Sequence, residues 1–395
     1  MRILYVLQRI RHPALRGELR HYHFLRRLAS RHAITLVSLA ECEVPPEALT
    51  ELSGYAERFV LVDGLPPPRP TREAGGLAEL GWRARKRWRT RRSLLELRRV
   101  VQELLAREPF DVMLLAGINL FGLIDGRNGV PMVLDWCDAD SLRLRQGLRY
   151  ASVLEWPWRM LRYGQVRRTE RLLRGASHVA FISPRDRDAA HGPDSRAAVV
   201  PNGVDVAFWQ RRGRPVPGRI VFTGVLDYPP NDDAARYLIE EVAPRVRRRV
   251  PGLEVVIAGR SPSAALAAAA ARAPGVTVTG DVPDLRPYLD SATVFVAPLR
   301  FASGMQNKLL EAMAMELPVV TTPVAADGLR LDPNADPPVR VGRDADQIAT
   351  HVVDLLVDPP LAQRLGADGR RYVSQYCDWD RSADMLDGLC LDAAS

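Results

Sequence analysis

Lys308 and Glu311 stand one helical turn apart, just after a glycine, in the string PLRFASGMQNKLLEAMAMELPVV that runs from Pro298 to Val320. At that spacing an ammonium and a carboxylate share one helix face, while the Leu, Ala and Met residues around them form the opposite, apolar one. A helix that opens near Lys308 presents unpaired backbone N–H groups and the positive end of its dipole, and the lysine adds a full charge there. Such a mouth suits a phosphate. Gly304, Met305, Gln306, Asn307 and Lys308 are the residues that would cradle it. Glu311, facing the same mouth, can accept two hydrogen bonds from the vicinal hydroxyls of a ribose, so the pair suits a nucleoside diphosphate. Taken alone, LLEAMA need mean no more than a buried helix face.

The elements that must hold this pair are a strand ending at Val294 to Pro298, a helix from Lys308 to Met315 and a second strand opened by Pro318. The same alternation runs through the chain. Arg2 to Leu7, a helix from Glu18 to Ser30 and Ile34 to Leu39 form one strand–helix–strand unit of a doubly wound parallel sheet. Phe59 to Val62, Asp111 to Leu115, Met132 to Leu134 and His178 to Ile182 read as further strands of a first sheet, with His178 to Ile182 the last. VVPNGVD, Val199 to Asp205, makes the crossing. Arg219 to Thr223, Leu253 to Ala258 and Val276 to Thr279 begin a second sheet, with a helix expected over Asp232 to Val250. In open sheets of this kind ligands bind beyond the carboxyl ends of the strands. That directs attention to AGINLFG after Leu115 and to DWCDADSLRLRQ after Leu134, where Asp135, Asp138 and Asp140 cluster. Asp138 or Asp140 can cap the following helix, or meet a ligand. Gly17, where a loop meets the first helix, either lets a phosphate or sugar approach the backbone or merely starts the helix.

At 395 residues the chain suits two domains of ordinary size. Its formal charge of +8 comes mostly from arginine, with very few lysines. No aromatic–basic recognition motif turns that charge into a nucleic-acid site, and no nucleic-acid partner is expected. The four cysteines, Cys42, Cys137, Cys377 and Cys390, form no CxxC pair and have no histidine at metal spacing, so a reduced, cytoplasmic protein without a metal is expected. MRILYVLQ is a first strand rather than a signal peptide, and no apolar run is long enough to span a membrane. Between Trp82 and Arg99 nine basic residues face one acid, Glu96, with Trp82 and Trp88 interleaved. A helix of that composition is either a solvated face or a peripheral contact with an anionic membrane at its inner, cytoplasmic side.

The string GMQNKLLEAMAMELPVVTT resembles the donor-nucleotide helix of retaining GT-B glycosyltransferases of glycosyltransferase family 4, or group 1. The ordered run FTGVLDYPPNDDAARYL, GDVPDLRPYLDSATVFVAPL and GMQNKLLEAMAM is similar to bacterial sugar transferases associated with exopolysaccharide gene clusters. The resemblance covers residues 200 to 330 well and the N-terminal half loosely. It implies an α/β GT-B fold, with two Rossmann-like doubly wound domains facing across a cleft. Residues 1–198 would be the acceptor-side domain, 199–375 the donor-nucleotide domain, and 376–395 a helix crossing back to the first, with Trp379 as a packing anchor. It further implies transfer of a sugar from a UDP- or GDP-sugar to an acceptor hydroxyl with retention, the leaving phosphate helping to deprotonate the acceptor. No tightly bound cofactor is implied and a metal is not required, since Asp138-Ala139-Asp140 matches a DxD motif only by letter.

By the same resemblance Gly17 belongs to a donor-contacting glycine loop and Gly224 to a phosphate-facing one. Asp138 meets the acceptor hydroxyl or donor sugar, and Asn119 stands in the loop where relatives carry a histidine. Besides the usual glycine pair, reduced here to Arg16-Gly17, the chain departs from the family in three places. That histidine is absent, the loop around Val225 lacks the usual arginine and lysine, and Ser303 occupies the position of the first of two glutamates eight residues apart. Lys308 becomes the replacement charge. The acceptor is open among a glycan, a lipid-linked molecule and a small molecule. Two other readings remain, a GT-B nucleotide-sugar epimerase and a non-catalytic basic binding protein.

Overall fold

The structure, a computed structural model, describes residues 1–395 except 16–18, 68–74, 118–119, 121–128, 151 and 193, and leaves out the side chains of 75–77, 79–80 and 83. Seven strands form the first sheet: β1 (Arg2–Leu7), β2 (Ala33–Ala40), β3 (Arg58–Asp63), β4 (Val112–Ala116), β5 (Met132–Cys137), β6 (His178–Phe181) and β7 (Ala197–Val199). Their spatial order is β3-β2-β1-β4-β5-β6-β7, parallel throughout. The second sheet holds β8 (Arg219–Thr223), β9 (Glu254–Ala258), β10 (Val276–Val278), β11 (Val294–Ala297), β12 (Val319–Thr321) and β13 (Arg340–Val341). Its order, β10-β9-β8-β11-β12-β13, repeats the same topology, again all parallel.

Strands such as β1 and β4 read as near-continuous apolar runs because helices cover both faces of the sheet. Ile3 to Val6 and Val112 to Ala116 are buried on that account, each large side chain contributing about 1.5–3 kcal/mol of burial. On one face of the first sheet lie the helix Arg20–Leu28 and the final helix, Trp379–Ala394. On the other lies the long helix Gly75–Arg107, which contributes Leu97, Val101 and Leu104. The penultimate helix, Pro359–Tyr376, packs with the second sheet through Tyr372 and Val373. The chain then turns at Asp378, whose carboxylate accepts from the amides of Asp380 and Arg381, and returns to the first domain. There Trp379 stacks on His23 at 4.5 Å.

The local elements differ from expectation at several points. The first sheet ends at β7, not at His178 to Ile182, because Ala197–Val199 pairs with β6 before the crossing. The helix expected over Asp232 to Val250 begins at Pro229, which needs no amide partner in a first turn, and is interrupted by a π-turn at Leu238–Val242. Within GDVPDLRPYL, for which no element was expected, Arg286–Asp290 is helical. Among the described residues, no helix is long and apolar enough to cross a membrane.

Candidate functional site

The helix carrying Lys308 and Glu311 spans Asn307–Ala314, one residue longer at its start than the spacing predicts. Gln306 is its N-cap in an extended conformation and offers no side-chain cap. The opening amides therefore lack the usual carboxylate or hydroxyl partner. Lys308 reaches from the first turn to the Asn231 side-chain oxygen and lies over the Phe222 ring, 4.7 Å from its centroid. Burial pushes its ammonium down to about 7, with Glu311 pulling the other way. Burial likewise pushes the Glu311 carboxyl up to about 7, opposed by Lys308. Neither group is fully compensated, so a phosphate beside one and hydroxyl donors beside the other would supply what desolvation withholds.

Gly224 completes the floor of this mouth. A Cβ there would stand 2.7 Å from Asn231 Nδ2 and 3.2 Å from Lys308 Nζ. Its amide donates to the Ala258 carbonyl at 3.1 Å. Gly224 thus contributes room for the lysine head rather than a free N–H. Asn231 is spent on Lys308 and on the Val225 carbonyl, to which Nδ2 donates at 2.9 Å.

Gly304 lies at the contact between the domains. Its φ of +66° is left-handed, and a Cβ would fall 1.9 Å from Asp138 Oδ1, so glycine alone fits. Its N–H donates to both carboxylate oxygens of Asp186, at 3.0 and 3.1 Å. Asp186 is fully buried and also accepts from the Ala139 amide at 3.0 Å. One carboxylate therefore ties the acid-rich turn after β5 to the loop after β11. The expected phosphate cradle is shorter as a result. The Gly304 amide is occupied, Met305 is buried in the core of the second domain, and Ser303 is buried with its carbonyl taken by Gln306 Nε2 at 2.9 Å. Gln306, Asn307 and Lys308 remain at the mouth.

Residues 217–358 match the family model described as glycosyl transferases group 1. The chain carries a group 1 glycosyltransferase domain. Over 155 residues it is 33% identical to the GDP-mannose-dependent alpha-(1-6)-phosphatidylinositol monomannoside mannosyltransferase of two Mycobacterium tuberculosis strains. That match spans 36% of this chain and 40% of the length of the relative. Sucrose-phosphate synthase from Thermosynechococcus elongatus superposes with a TM-score of 0.68 at 16% identity, covering 100% of both chains. Anabaena HepE, solved with UDP and glucose, superposes with a TM-score of 0.65 at 13% identity over 98% of each. Identities so low speak for the fold, and the two parallel-sheet domains are a GT-B fold.

In the first domain of this GT-B chain, Gly17 and Asn119 lie outside the described residues. Asp138 is brought to the domain junction against Gly304. It does not cap a helix, because the helix Asp140–Gly147 is entered through Ala139 without a side-chain cap, and Asp140 instead accepts from Arg143 at 2.6 Å.

Behind Asp138 lies a buried network that residue spacing did not disclose. Arg20 grips both oxygens of Asp135, Nε at 2.7 Å and Nη2 at 2.9 Å, and donates to the Pro201 carbonyl and Asn202 Oδ1 in the crossing segment. Burial alone would raise the Asp135 carboxyl, but the Arg20 guanidinium holds it below its ordinary value. His21, Asp135 and Cys137 bring three potential metal-ligand atoms within 4.8 Å of one another. The cationic charge at that carboxylate is already supplied by Arg20.

The residues missed from sequence, Arg20 and Asp186, are charged groups that would ordinarily be assigned to a solvated helix face. For Asp186 a signal was present, since SPRD places an acid in the first turn of a helix capped by Ser183.

Proposed function

We propose that this chain transfers a sugar from a nucleoside diphosphate sugar, with UDP or GDP as the carrier, to an acceptor hydroxyl with retention of configuration, in glycan, exopolysaccharide or natural-product synthesis. The observation that carries the reading is the Lys308–Glu311 pair at an uncapped helix opening within a group 1 glycosyltransferase domain. The bond between the sugar C1 and the diphosphate oxygen breaks, and the acceptor oxygen bonds to C1. The acceptor proton passes to the departing phosphate, which explains why no separate strong base is needed.

Negative charge develops on the leaving diphosphate, where Lys308 and the amides at Gln306–Lys308 stabilise it. Glu311 holds the ribose hydroxyls, and Asp138 meets the acceptor hydroxyl or the transferring sugar from the opposite domain. Asn119 and Gly17 are assigned to the same cleft wall by the family resemblance. Because Lys308 supplies charge at the leaving group, activity is expected to persist in a chelator.

The acceptor is a glycan, a lipid-linked molecule or a small molecule. A lipid acceptor accords with the similarity to a phosphatidylinositol monomannoside mannosyltransferase. The basic helix Gly75–Arg107 is assigned a peripheral membrane contact through residues 82–99. Trp88, 62% exposed with Arg92 over its ring, faces outward there, whereas Trp82 turns back to donate to the Pro67 carbonyl at 3.0 Å.

The test is calorimetric titration of UDP, GDP and their sugars into wild type, Lys308→Met and Glu311→Ala. One nucleotide series should bind wild type and lose on the order of tenfold or more in each variant, the scale of a hydrogen bond to a charged group. Absence of any nucleotide binding would remove the reading. Conversion of a donor sugar to its epimer without acceptor would replace it with the epimerase reading, and unchanged binding by both variants would move the site elsewhere.

A further inference from the structure

The helix Trp156–Arg171 is unlike every other long helix described, because Glu170 is its one buried residue. The turn before it and its outward face carry Val153 at 90% exposure, Leu154 at 89%, Trp158 at 75% and Leu161 at 54%. Leu154, Trp158 and Leu161 follow one another at four and three residues, so that they form a single stripe. An apolar stripe of this size on the surface of a monomer marks an interaction site.

The charges beside the stripe identify the partner. Residues 149–174 contain seven arginines, at 149, 159, 162, 167, 168, 171 and 174, and two acids. Both acids are committed within the element, Glu155 to Arg159 at 3.0 Å and Glu170 to Arg167 at 3.1 Å. With both acids paired inside the element, the face offers apolar and aromatic side chains with a net positive charge from the remaining arginines, which complements a negative surface. Tryptophans and long arginine stems are the side chains that settle at the boundary between head groups and acyl chains.

The stripe also borders the cleft. Just ahead of it, Tyr150 stacks on Phe301 of the second domain with centroids 6.0 Å apart. A cavity of ≈ 390 Å³ opens there, with Tyr150, Glu155 and Arg159 on one side and Phe301, Arg236 and the acids Asp227, Asp232 and Asp233 on the other.

We propose that the face formed by Val153, Leu154, Trp158, Leu161 and the flanking arginines docks the protein on an anionic bilayer, with the mouth of the interdomain cavity at the level of the lipid head groups. Docking itself does not depend on the transfer reaction. Delivery of a lipid-linked acceptor into the cavity does rest on that reading.

The experiment is co-sedimentation of the full chain with vesicles of phosphatidylglycerol and phosphatidylcholine, against phosphatidylcholine alone. It compares wild type with Leu154→Ser/Trp158→Ala and with Trp88→Ala/Arg92→Ser. Substitution at such exposed positions leaves folding intact, which an unchanged melting temperature verifies. Binding to the anionic vesicles is expected to fall by at least about tenfold in the first double variant, to weaken with salt and to fall clearly less in the second, whose helix is the lesser contact. Three results would overturn the proposal: no vesicle binding by wild type, loss only in the Trp88 variant, or concentration-dependent self-association that Leu154→Ser/Trp158→Ala abolishes in place of vesicle binding. Nucleotide titration of the first variant separates the two readings, since docking can fail while donor binding stands.

Discussion

Asn202 in the crossing segment donates through Nδ2 to Asn307 Oδ1 at 2.9 Å, and its own Oδ1 accepts from Arg20 Nη1 at 2.9 Å. Because Arg20 is held by Asp135 at the end of β5, a continuous buried chain runs from the first sheet through the hinge to the first residue of the donor helix. A hinge fastened in this way sets the position of that helix relative to the opposite wall. Asn202→Ala is expected to leave nucleotide affinity within about threefold, because the side chain meets the mouth only through the Asn307 side chain and leaves Lys308 and Glu311 in place. It should lower kcat by about tenfold, the scale on which small misplacements act. Steady-state kinetics together with nucleotide titration distinguish this from a general loss of fold, which would lower both.

Removing one member of the Arg20–Asp135 pair strands a charge in the interior. Arg20→Leu is expected to cost about 3–5 kcal/mol in denaturant unfolding, while Arg20→Leu/Asp135→Leu recovers part of that loss. Equal losses in the single and double variants would mean that packing of the arginine stem, not charge pairing, holds this junction.

Lys308 and Glu311 place opposite demands on pH. Lys308 is charged below about 7 and Glu311 is ionised above about 7, and as neighbours they titrate as a pair. Donor affinity should therefore peak near neutrality, falling on the alkaline side as Lys308 loses its proton and on the acid side as Glu311 gains one. In Glu311→Gln the acid limb disappears. The alkaline limb also moves to lower pH, because the carboxylate that helped keep Lys308 protonated is gone. Calorimetry across pH reads both effects, and an unshifted alkaline limb would mean the two groups are not coupled.

Much of the architecture was legible because alternation of apolar runs with helical periodicity is a local signal. The strands that flank the cleft and the helix after Gly304 fall within a few residues of their expected bounds for that reason. Lys308 was also conspicuous, as one of only two lysines in a chain so rich in arginine. What could not be read depends on contacts across the fold. Nothing near Gly304 in sequence discloses that Asp186, 118 residues earlier, takes its amide. Gly224 likewise reads as a phosphate-facing amide until Ala258 is seen accepting from it. The short β7 carries too few residues for a periodic signal, and its pairing with β6 is what makes it a strand.

Gly304→Ala tests the domain junction directly. The added Cβ would meet Asp138 Oδ1 at 1.9 Å on a backbone already left-handed, so the loop must withdraw and the domains part. Activity is expected to fall by about 100-fold or more, with a larger radius of gyration in solution scattering. In Gly304→Ala/Asp138→Ala the nearest obstruction is gone and the tip of the Ile182 side chain, 2.6 Å from the added Cβ, is what remains, so compactness should largely return while activity does not, given the role proposed for Asp138. A single variant that stays compact would show that the loop accommodates the methyl group without moving its partner.

The return of the final helix to the first domain makes stability depend on pH on the acid side. His23 stacks on Trp379 with planes 15° apart, and burial together with Arg27 pushes it down to about 4 from an ordinary value of 6.5. His21 is pushed down to about 4 by burial as well, although Asp135 pulls it upward. Between 6.5 and about 4 the unfolded chain binds more protons at these positions than the folded one, so stability falls as pH falls through that window. His23→Phe retains an aromatic ring against Trp379 but has no proton to bind. Its melting temperature should decline less steeply than that of wild type from neutrality to about pH 4. Superimposable profiles would show that His23 accepts its proton without leaving the stack and that the acid sensitivity arises elsewhere.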